Sequence, residues 1–186
     1  MPCLFLYNKN QVDNIGLFDE LYVRTCGEGD LDKVLDLESI VLAKLERPDL
    51  LRRNTEEMWR TCLQSPHVCL GSWNGDVLVA LAVLYVPKDG DTEALAPLLQ
   101  SVDPKGHKAA NFKICLVHPE WRGHHLQVKL GNLLNNEAHQ RGIDLLCATA
   151  SPHNIASIRS LQQLGYRADH TVQRYGFERT VFFYFN

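Results

Sequence analysis

The sequence has no apolar run long enough to cross a bilayer, which takes about 20 consecutive apolar residues. Its first residues, 1–7, have no basic start and are too short to form the apolar core of a secretory signal peptide. Both absences argue against a membrane-embedded or secreted protein. We therefore predict a cytoplasmic protein without a membrane partner.

An excess of positive charge is also lacking. The 186 residues carry a formal net charge of -3, and the isoelectric point is about 6.2. A nucleic-acid surface would need a basic patch, so nucleic acid is not an expected partner. Hydrophobic residues make up 45% and charged residues 22% of the chain, as in an ordinary globular protein. The length predicts one domain with a substantial core.

Cysteine pairs at a metal-binding spacing are absent as well, because none of the six cysteines forms a C-x-x-C pair. Cys115 and Cys147 lie in apolar runs, where a free cysteine behaves as a small hydrophobic residue. We predict that both are buried thiols rather than disulfide partners or metal ligands. Reduced thiols agree with a cytosolic protein.

Three histidines, His118, His124 and His125, raise the question of a zinc site, since imidazole is a common zinc ligand. Adjacent histidine side chains usually diverge, and no cysteine or carboxylate completes a known ligand spacing around them. The prediction is that the protein holds no metal.

The strongest pattern present spans residues 111–142 and predicts a strand, a tight turn and a long helix. Residues 114–117 form a short apolar run typical of a strand buried on both faces. The helix is predicted from one apolar stripe and ends at Gly142; the stripe is Leu126, Leu130, Leu133, Leu134 and Ala138. A strand that turns directly into a helix presents free backbone N–H groups at one point, which suits a phosphate.

Two helices are predicted near the N-terminus, after a strand at residues 21–26. Asp30 is a good N-cap for the first, and Pro48 stops it. The second begins at a capping-box pattern in residues 54–57, with Glu57 reaching back to the cap.

The remaining strands follow in pairs. Residues 68–73 and 77–86 predict a hairpin, because Asn74-Gly75 is the preferred type I′ turn pair. The connection at 87–110 is long for a compact domain, and its leucines indicate a short helix. A buried strand at 145–150, a helix capped by Asn154 and a final antiparallel pair at 166–185 complete the chain.

Two segments resemble the GNAT superfamily, the acyl-CoA N-acyltransferases. Residues 117–123 are similar to its V-x-P-x-x-R-G stretch, and Arg122 matches the first position of its Arg/Gln-x-x-Gly-x-Gly/Ala loop. His125 and Gln127 stand where that loop usually has glycines. The second segment, 151–166, resembles the family's strand, asparagine, helix, glycine and aromatic ending. The resemblance covers roughly residues 20–186.

The resemblance implies an α/β fold. Its sheet is mixed, mostly antiparallel, of about seven strands, with helices on both faces. The sheet is splayed in the middle, between the strands at Ile114 and Leu145. We predict an N-terminal arm or edge strand at 1–20 and one GNAT domain at 21–186. The domain carries an insertion at about 87–110, which we place near the acceptor side or in solvent.

The resemblance also implies acetyl-CoA as co-substrate, with its pantetheine arm along the free edge of the strand at Ile114 and its pyrophosphate at the helix start. The residues implied in binding are Leu116, Val117, Arg122, Gly123, His124, His125, Leu126, Gln127, Asn154 and Ser157. The ring of His125 is expected to turn outward.

The usual catalytic groups of the family are missing. Asn111, followed on the same face by Lys113, stands where many members have a glutamate base, and Leu161 stands where they have a tyrosine acid. The replacement candidates are Ser157, Ser160 and Glu46, with Tyr166 and Tyr175 as weaker ones.

The favoured function is transfer of an acetyl group from acetyl-CoA to a primary amine, in a small molecule or a peptide, by direct attack in a ternary complex. No cysteine is placed beside a histidine to form an acyl-enzyme. The alternative is a catalytically weak GNAT-like domain that binds acyl-CoA or a protein partner. The acceptor's identity and a homodimeric state are left open.

Overall fold

A mixed eight-stranded sheet organises the computed structural model, which describes residues 13–14 and 21–186. The strands are β1 (Asp13–Asn14), β2 (Leu21–Thr25), β3 (Val68–Asn74), β4 (Val77–Tyr85), β5 (Ala109–Val117), β6 (Leu145–Ala150), β7 (Arg167–Arg174) and β8 (Phe177–Phe185). Their order in the sheet is β1-β2-β3-β4-β5-β6-β8-β7. Every neighbouring pair is antiparallel except β5 and β6, which are parallel. The seven predicted strands are confirmed as β2–β8.

The prediction for residues 1–20 lies outside the described residues, apart from β1. Asp13 and Asn14 pair antiparallel with Val23 and Tyr22 of β2, at the edge of the sheet.

Four helices cover the two faces: α1 (Leu31–Ala43), α2 (Glu56–Cys62), α3 (Leu126–Gln140) and α4 (Ile155–Gln163). Alternate residues of β4 separate the two cores, since Leu81 and Val83 pack with α1 and α2 and Ala80 and Ala82 pack with α3 and α4. Helix α1 ends at Ala43, before the predicted stop at Pro48, which opens a separate short 3₁₀ turn. No described helix is long and apolar enough to span a bilayer.

The start of α2 differs by one residue from the predicted capping box. Thr55 is the N-cap, and its hydroxyl accepts a hydrogen bond from the Met58 N–H at 3.2 Å. The expected pair of Asn54 and Glu57 is therefore wrong.

A buried carboxylate fixes α2 against α1. The side chain of Glu38 accepts from the Asn54 N–H at 2.9 Å and from the Trp59 indole N–H at 3.0 Å. Glu38 is only 2% exposed. This contact was not predicted, because Glu38 reads as a polar interruption of a helical stripe.

The predicted hairpin of β3 and β4 is confirmed, but its turn is shifted. Asn74 pairs with Val77, so the loop residues are Gly75 and Asp76 rather than Asn74 and Gly75. A register shift between Ser72 and Trp73 moves the pairing.

The turn between β7 and β8 has two residues at positive φ. Tyr175 has a φ of +57° and Gly176 a φ of +80°, while Arg174 and Phe177 on either side are paired. Both loop residues in the left-handed region are typical of a type I′ turn. Tyrosine is a strained choice there.

The sheet opens where β5 and β6 diverge, as the resemblance implies. Their parallel pairing covers only Ala109, Ala110 and Asn111, opposite residues 145–147. Past Asn111, β5 stays paired with β4 alone, and a bulge there leaves Lys113 without a cross-strand partner in the β4–β5 register.

The insertion between β4 and β5 packs onto the sheet and ends before Ala109, where β5 begins. Its helical part is a single 3₁₀ turn, Ala96–Leu98. Leu95 and Leu99 are buried in a cluster with Val181 of β8. The part around this turn is therefore not a solvated excursion, whereas residues 103–108 are mainly exposed.

Candidate active site

A groove of about 770 Å³ opens where β5 and β6 separate. One wall is the connection between α1 and α2, and the other is formed by the start of α3 and by α4. Alternate residues of β5, among them Lys113, Cys115 and Val117, lie along its floor, and Tyr175 and Arg179 close the end next to β8.

The turn from β5 into α3 leaves the start of the helix open. Gly123 has a φ of +84°, and His125, the N-cap of α3, has a φ of +57°. No side chain caps α3, and Lys129 N–H donates to the His125 carbonyl at 3.0 Å as the first helical bond. The N–H groups of residues 126–128 precede that bond, so they are available to an anion.

Both residues that replace the usual glycines have a structural place. His125 is exposed and lines the groove. Gln127 donates through Nε2 to the Ser157 hydroxyl at 3.4 Å, which links α3 to α4.

Asn154 connects two parts of the groove wall. Its side-chain oxygen accepts from the Ser157 N–H at 3.1 Å and caps α4, which confirms the predicted cap. Its Nδ2 donates to the Leu50 carbonyl at 3.2 Å, in the connection between α1 and α2.

Most of the predicted cofactor residues line the groove: Val117, Arg122, Gly123, His125, Leu126, Gln127, Asn154 and Ser157. Leu116 and His124 do not. Leu116 is 1% exposed and points to the opposite face of β5, into the core under α1. The His124 ring lies edge-on to Trp121, with ring centroids 6.3 Å apart.

The three catalytic candidates, Ser157, Ser160 and Glu46, all line the groove. The Ser160 hydroxyl donates to the Ala156 carbonyl at 3.0 Å. Leu161, in the usual tyrosine position, is buried in the core.

Neither tyrosine candidate projects a free hydroxyl into the groove. Tyr166 is buried and its hydroxyl donates to Asn135 at 3.3 Å. Tyr175 lines the groove, but its hydroxyl donates to Glu93 at 3.2 Å.

Asn111, in the usual glutamate position, anchors the insertion. It is 2% exposed, donates to the Glu93 carbonyl at 2.8 Å and accepts from the Leu95 N–H at 3.3 Å. No residue of 87–110 lines the groove, so the prediction that this segment forms its wall is not supported. The insertion contributes to the groove indirectly, because its Glu93 carboxylate accepts a hydrogen bond from Lys113 on the floor.

Glu93 is the centre of a charged cluster that the sequence analysis missed. Its carboxylate accepts from the Lys113 ammonium, from Arg52 Nη1 at 2.9 Å and from the Tyr175 hydroxyl at 3.2 Å. Burial alone would raise the pKa of Glu93, but the bonds from Lys113 and Arg52 outweigh it and lower the pKa to about 2. A carboxylate of such low pKa is a weak base at neutral pH.

Thiol chemistry is disfavoured in the groove. Cys115 lies on the floor, and burial raises its pKa to about 12. Cys147 is buried as predicted, and burial also raises its pKa to about 12. Neither thiol forms the thiolate needed for an acyl-enzyme at neutral pH.

A metal centre is not found among residues 13–14 and 21–186, where no group of three or more His, Cys, Asp or Glu side chains is placed to hold an ion.

No protein-family model matches the sequence, and no curated protein matches it either. Solved structures do match. The GNAT domain of S. lividans PAT superposes with a TM-score of 0.68 at 18% identity, over 89% of this chain and 90% of that one. The chain has the GNAT fold.

Two further structures give the same result. The Escherichia coli ribosomal-protein-S18-alanine N-acetyltransferase matches with a TM-score of 0.67 at 16% identity, over 89% of this chain and 93% of that one. The structure of yncA from Salmonella typhimurium, solved with its cofactor acetyl-CoA, matches with a TM-score of 0.66 at 17% identity, over 89% and 94%. Both matches support the same fold.

Proposed function

We propose that this protein transfers an acetyl group from acetyl-CoA to a primary amine, by direct attack of the amine in a ternary complex. The observation that carries the proposal is the uncapped start of α3 beside the unpaired edge of β5, on one groove. Acetyl-CoA in the similar yncA structure and the N-acetyltransferase of Escherichia coli support the same chemistry.

The residues of this chain fit such a ligand. The open N–H groups of residues 126–128, with Arg122, would hold the pyrophosphate. The β5 edge from Lys113 to Val117 is free of pairing with β6, so its backbone groups would hold the pantetheine arm. Acetyl-CoA supplies the activated acetyl group.

Proton transfer relies on positioning and water in this proposal. Asn111 and Leu161 are buried, and Glu93 is held by cations. Water would carry the amine proton toward Glu46, and Ser157 or Ser160 would supply one to the departing thiolate. Orientation of the amine beside the polarised carbonyl then accounts for most of the rate enhancement.

The alternative is a GNAT-like domain that binds acyl-CoA or a protein partner and turns over little. Two observations favour it. His125 and Gln127 stand where the loop usually has glycines, and the usual glutamate and tyrosine are replaced by Asn111 and Leu161. Release of free CoA thiol over a panel of small and peptide amines separates the two functions.

The binding part is tested by calorimetry with CoA, acetyl-CoA and adenosine. We expect CoA to bind and Gly123→Val to weaken it at least about tenfold, because valine is strained at a φ of +84°. Gly106→Val is the matched control. Gly106 has a φ of +80° in equally open space, but lies in the insertion, away from the groove lining. Absence of CoA binding at millimolar concentration would contradict the proposal.

A further inference from the structure

The groove is strongly cationic in a chain whose net charge is -3. Six of the side chains that line it are lysines or arginines, against one carboxylate, Glu46. Arg122 and Arg159 belong to the wall of α3 and α4, where the cofactor is proposed. The other four cations come from other elements: Lys44 and Arg52 from the connection after α1, Lys113 from β5 and Arg179 from β8. Arg52 and Lys113 of this second set are paired with Glu93, which lies outside the lining, so the positive charge left over is that of Lys44 and Arg179.

Arg179 is the least expected of the four. It lies on β8, is 4% exposed and lines the groove. Its Nη1 donates to the Asp49 carbonyl at 2.7 Å, which places it beside the connection between α1 and α2. Its Nη2 is buried and has no hydrogen-bond partner in the described part of the chain. A buried charged donor without an acceptor is costly, so it points to a ligand.

The residues next to Arg179 are held rigidly. The Arg52 guanidinium stacks on the Tyr175 ring, 3.9 Å from its centroid, and is bonded to Glu93. Tyr175 keeps a φ of +57° in the turn between β7 and β8. Backbone strain of this kind persists where the surroundings fix it, often at functional sites. Arg52 is thus preorganised beside the groove.

The charges of this corner do not balance. Arg52 and Lys113 share the Glu93 carboxylate, and the carboxylate whose charge acts on Arg179 is that of Asp49. Asp49 binds Arg179 only through its carbonyl, while its carboxylate accepts from Arg47 and Ser151. Burial is the main cause that lowers the pKa of Arg179, and the charge of Arg52 acts in the same direction, while Asp49 and Tyr175 oppose the shift without cancelling it. An anion bound to Arg179 would offset both effects.

We infer that the acceptor amine carries an anionic group, a carboxylate or a phosphate, which binds Arg179 beside Arg52. The inference rests on the proposed function, because it assigns the end of the groove next to β8 to the amine. A guanidinium fork matches both anions and binds either through charge-assisted hydrogen bonds. A neutral amine can offer Nη2 an uncharged acceptor at most and supplies no counter-charge to the guanidinium.

The test compares anionic amines with neutral counterparts, and kcat/KM is expressed per neutral amine at the assay pH because only the neutral amine attacks. Glycine, β-alanine and 4-aminobutyrate are paired with their amides, and phosphoethanolamine with ethanolamine. Both kcat/KM, from release of CoA thiol, and binding, from calorimetry, are measured for each pair. We expect at least one anionic member to exceed its neutral partner by about tenfold or more in both quantities. Preference confined to phosphoethanolamine assigns the site to phosphate, and preference confined to the amino acids assigns it to carboxylate.

Variants locate the effect. Arg179→Gln should reduce the ratio of anionic to neutral amine toward one while acetyl-CoA affinity stays within about twofold. Arg52→Gln changes a partly exposed side chain and should lower the same ratio. This variant replaces Arg179→Gln in the test if Arg179→Gln does not fold. Arg60→Gln is the control, because Arg60 is exposed on α2 and pairs with Glu56 outside the groove. Its ratio should equal that of the unmodified protein.

The two proposals fail separately. Equal kcat/KM within about twofold for every pair, with acetyl transfer intact, overturns the anionic acceptor and leaves the acetyltransferase. Absence of acetyl-CoA binding overturns the acetyltransferase, while Arg179-dependent calorimetric binding of an amino acid or phosphoethanolamine still supports the anion site. Absence of both binding signals overturns both proposals.

Discussion

At the scale of single residues, His125 shows how this chain departs from the glycine loop it resembles. It starts α3 in the left-handed region, with a φ of +57° and an exposed side chain. Left-handed backbone costs a non-glycine residue about 1–2 kcal/mol, whereas glycine adopts it freely. The open space at the helix start is retained, but at a conformational cost.

This cost gives a prediction on stability. His125→Gly should be more stable than His125→Ala by about 1 kcal/mol, because both remove the ring and only glycine relieves the strain. Urea unfolding of the two variants at 25 °C measures the difference. We also expect His125→Gly to bind CoA several-fold more tightly than the unmodified protein, since the backbone can approach a phosphate more closely. An alanine variant as stable as the glycine variant would show that residue 125 is not left-handed.

Glu93 gives a second prediction at this scale, on how the stability of the fold depends on pH. Its pKa in the folded protein is about 2, below its usual value of 4.5. The stabilisation from Glu93 is therefore present above about pH 4.5 and is lost as the pH falls toward 2. Glu93→Gln should cost on the order of 2 kcal/mol at pH 7, because Lys113 is left buried without its carboxylate.

The measurement is the free energy of unfolding of both proteins between pH 7 and pH 2.5. The difference between them should shrink steadily below about pH 4.5. Glu56→Gln is the control, because Glu56 forms an exposed pair with Arg60 and should cost under about 0.5 kcal/mol at pH 7. A difference independent of pH would mean that the carboxylate charge of Glu93 does not stabilise the fold.

At the scale of elements, hydrophobic periodicity was sufficient for the order of strands and helices. The apolar stripe of α3 is long enough to predict a helix, and the short continuous apolar run of β6 predicts a buried strand. Boundaries were less predictable, because they depend on partners. A register shift between Ser72 and Trp73 decides where the β3–β4 turn falls. The cap of α2 likewise passes to Thr55, since the Asn54 N–H is taken by Glu38.

The site was predictable where it is local and not where it is tertiary. The turn from β5 into α3 and the Asn154 cap lie within single short segments. The cluster around Glu93 instead joins residues 20, 41 and 82 positions away. A glutamate in a long insertion has no sequence pattern that names Lys113, Arg52 and Tyr175 as its partners. The family positions held by Asn111 and Leu161 showed which groups are missing but not what replaces them.

At the scale of the whole molecule, the splayed sheet gives one groove two chemically different sides. The α3 and α4 side offers open N–H groups and Arg122, while the side near β8 offers Arg52 and Arg179. Between them the floor carries Cys115, whose pKa is about 12. In the proposed reaction the fold would bring two substrates together and act mainly by positioning them.

This arrangement predicts the pH dependence of catalysis. Without a dominant enzyme base, kcat/KM should rise about tenfold per pH unit up to the pKa of the acceptor amine, because only the neutral amine attacks. Two acceptors show whether the amine or a group of the enzyme sets the pH profile: a lysine-like amine with a pKa of about 10.4 and an α-amine with a pKa of about 8. The rising limb should follow the amine in each case.

Ser157→Ala and Ser160→Ala should each lower kcat/KM by less than roughly tenfold, since either hydroxyl or water can supply the proton to the thiolate. An acid limb at the same pH for both acceptors, abolished by Glu46→Gln or Tyr175→Phe, would identify an enzyme group as the base and contradict catalysis by positioning and water.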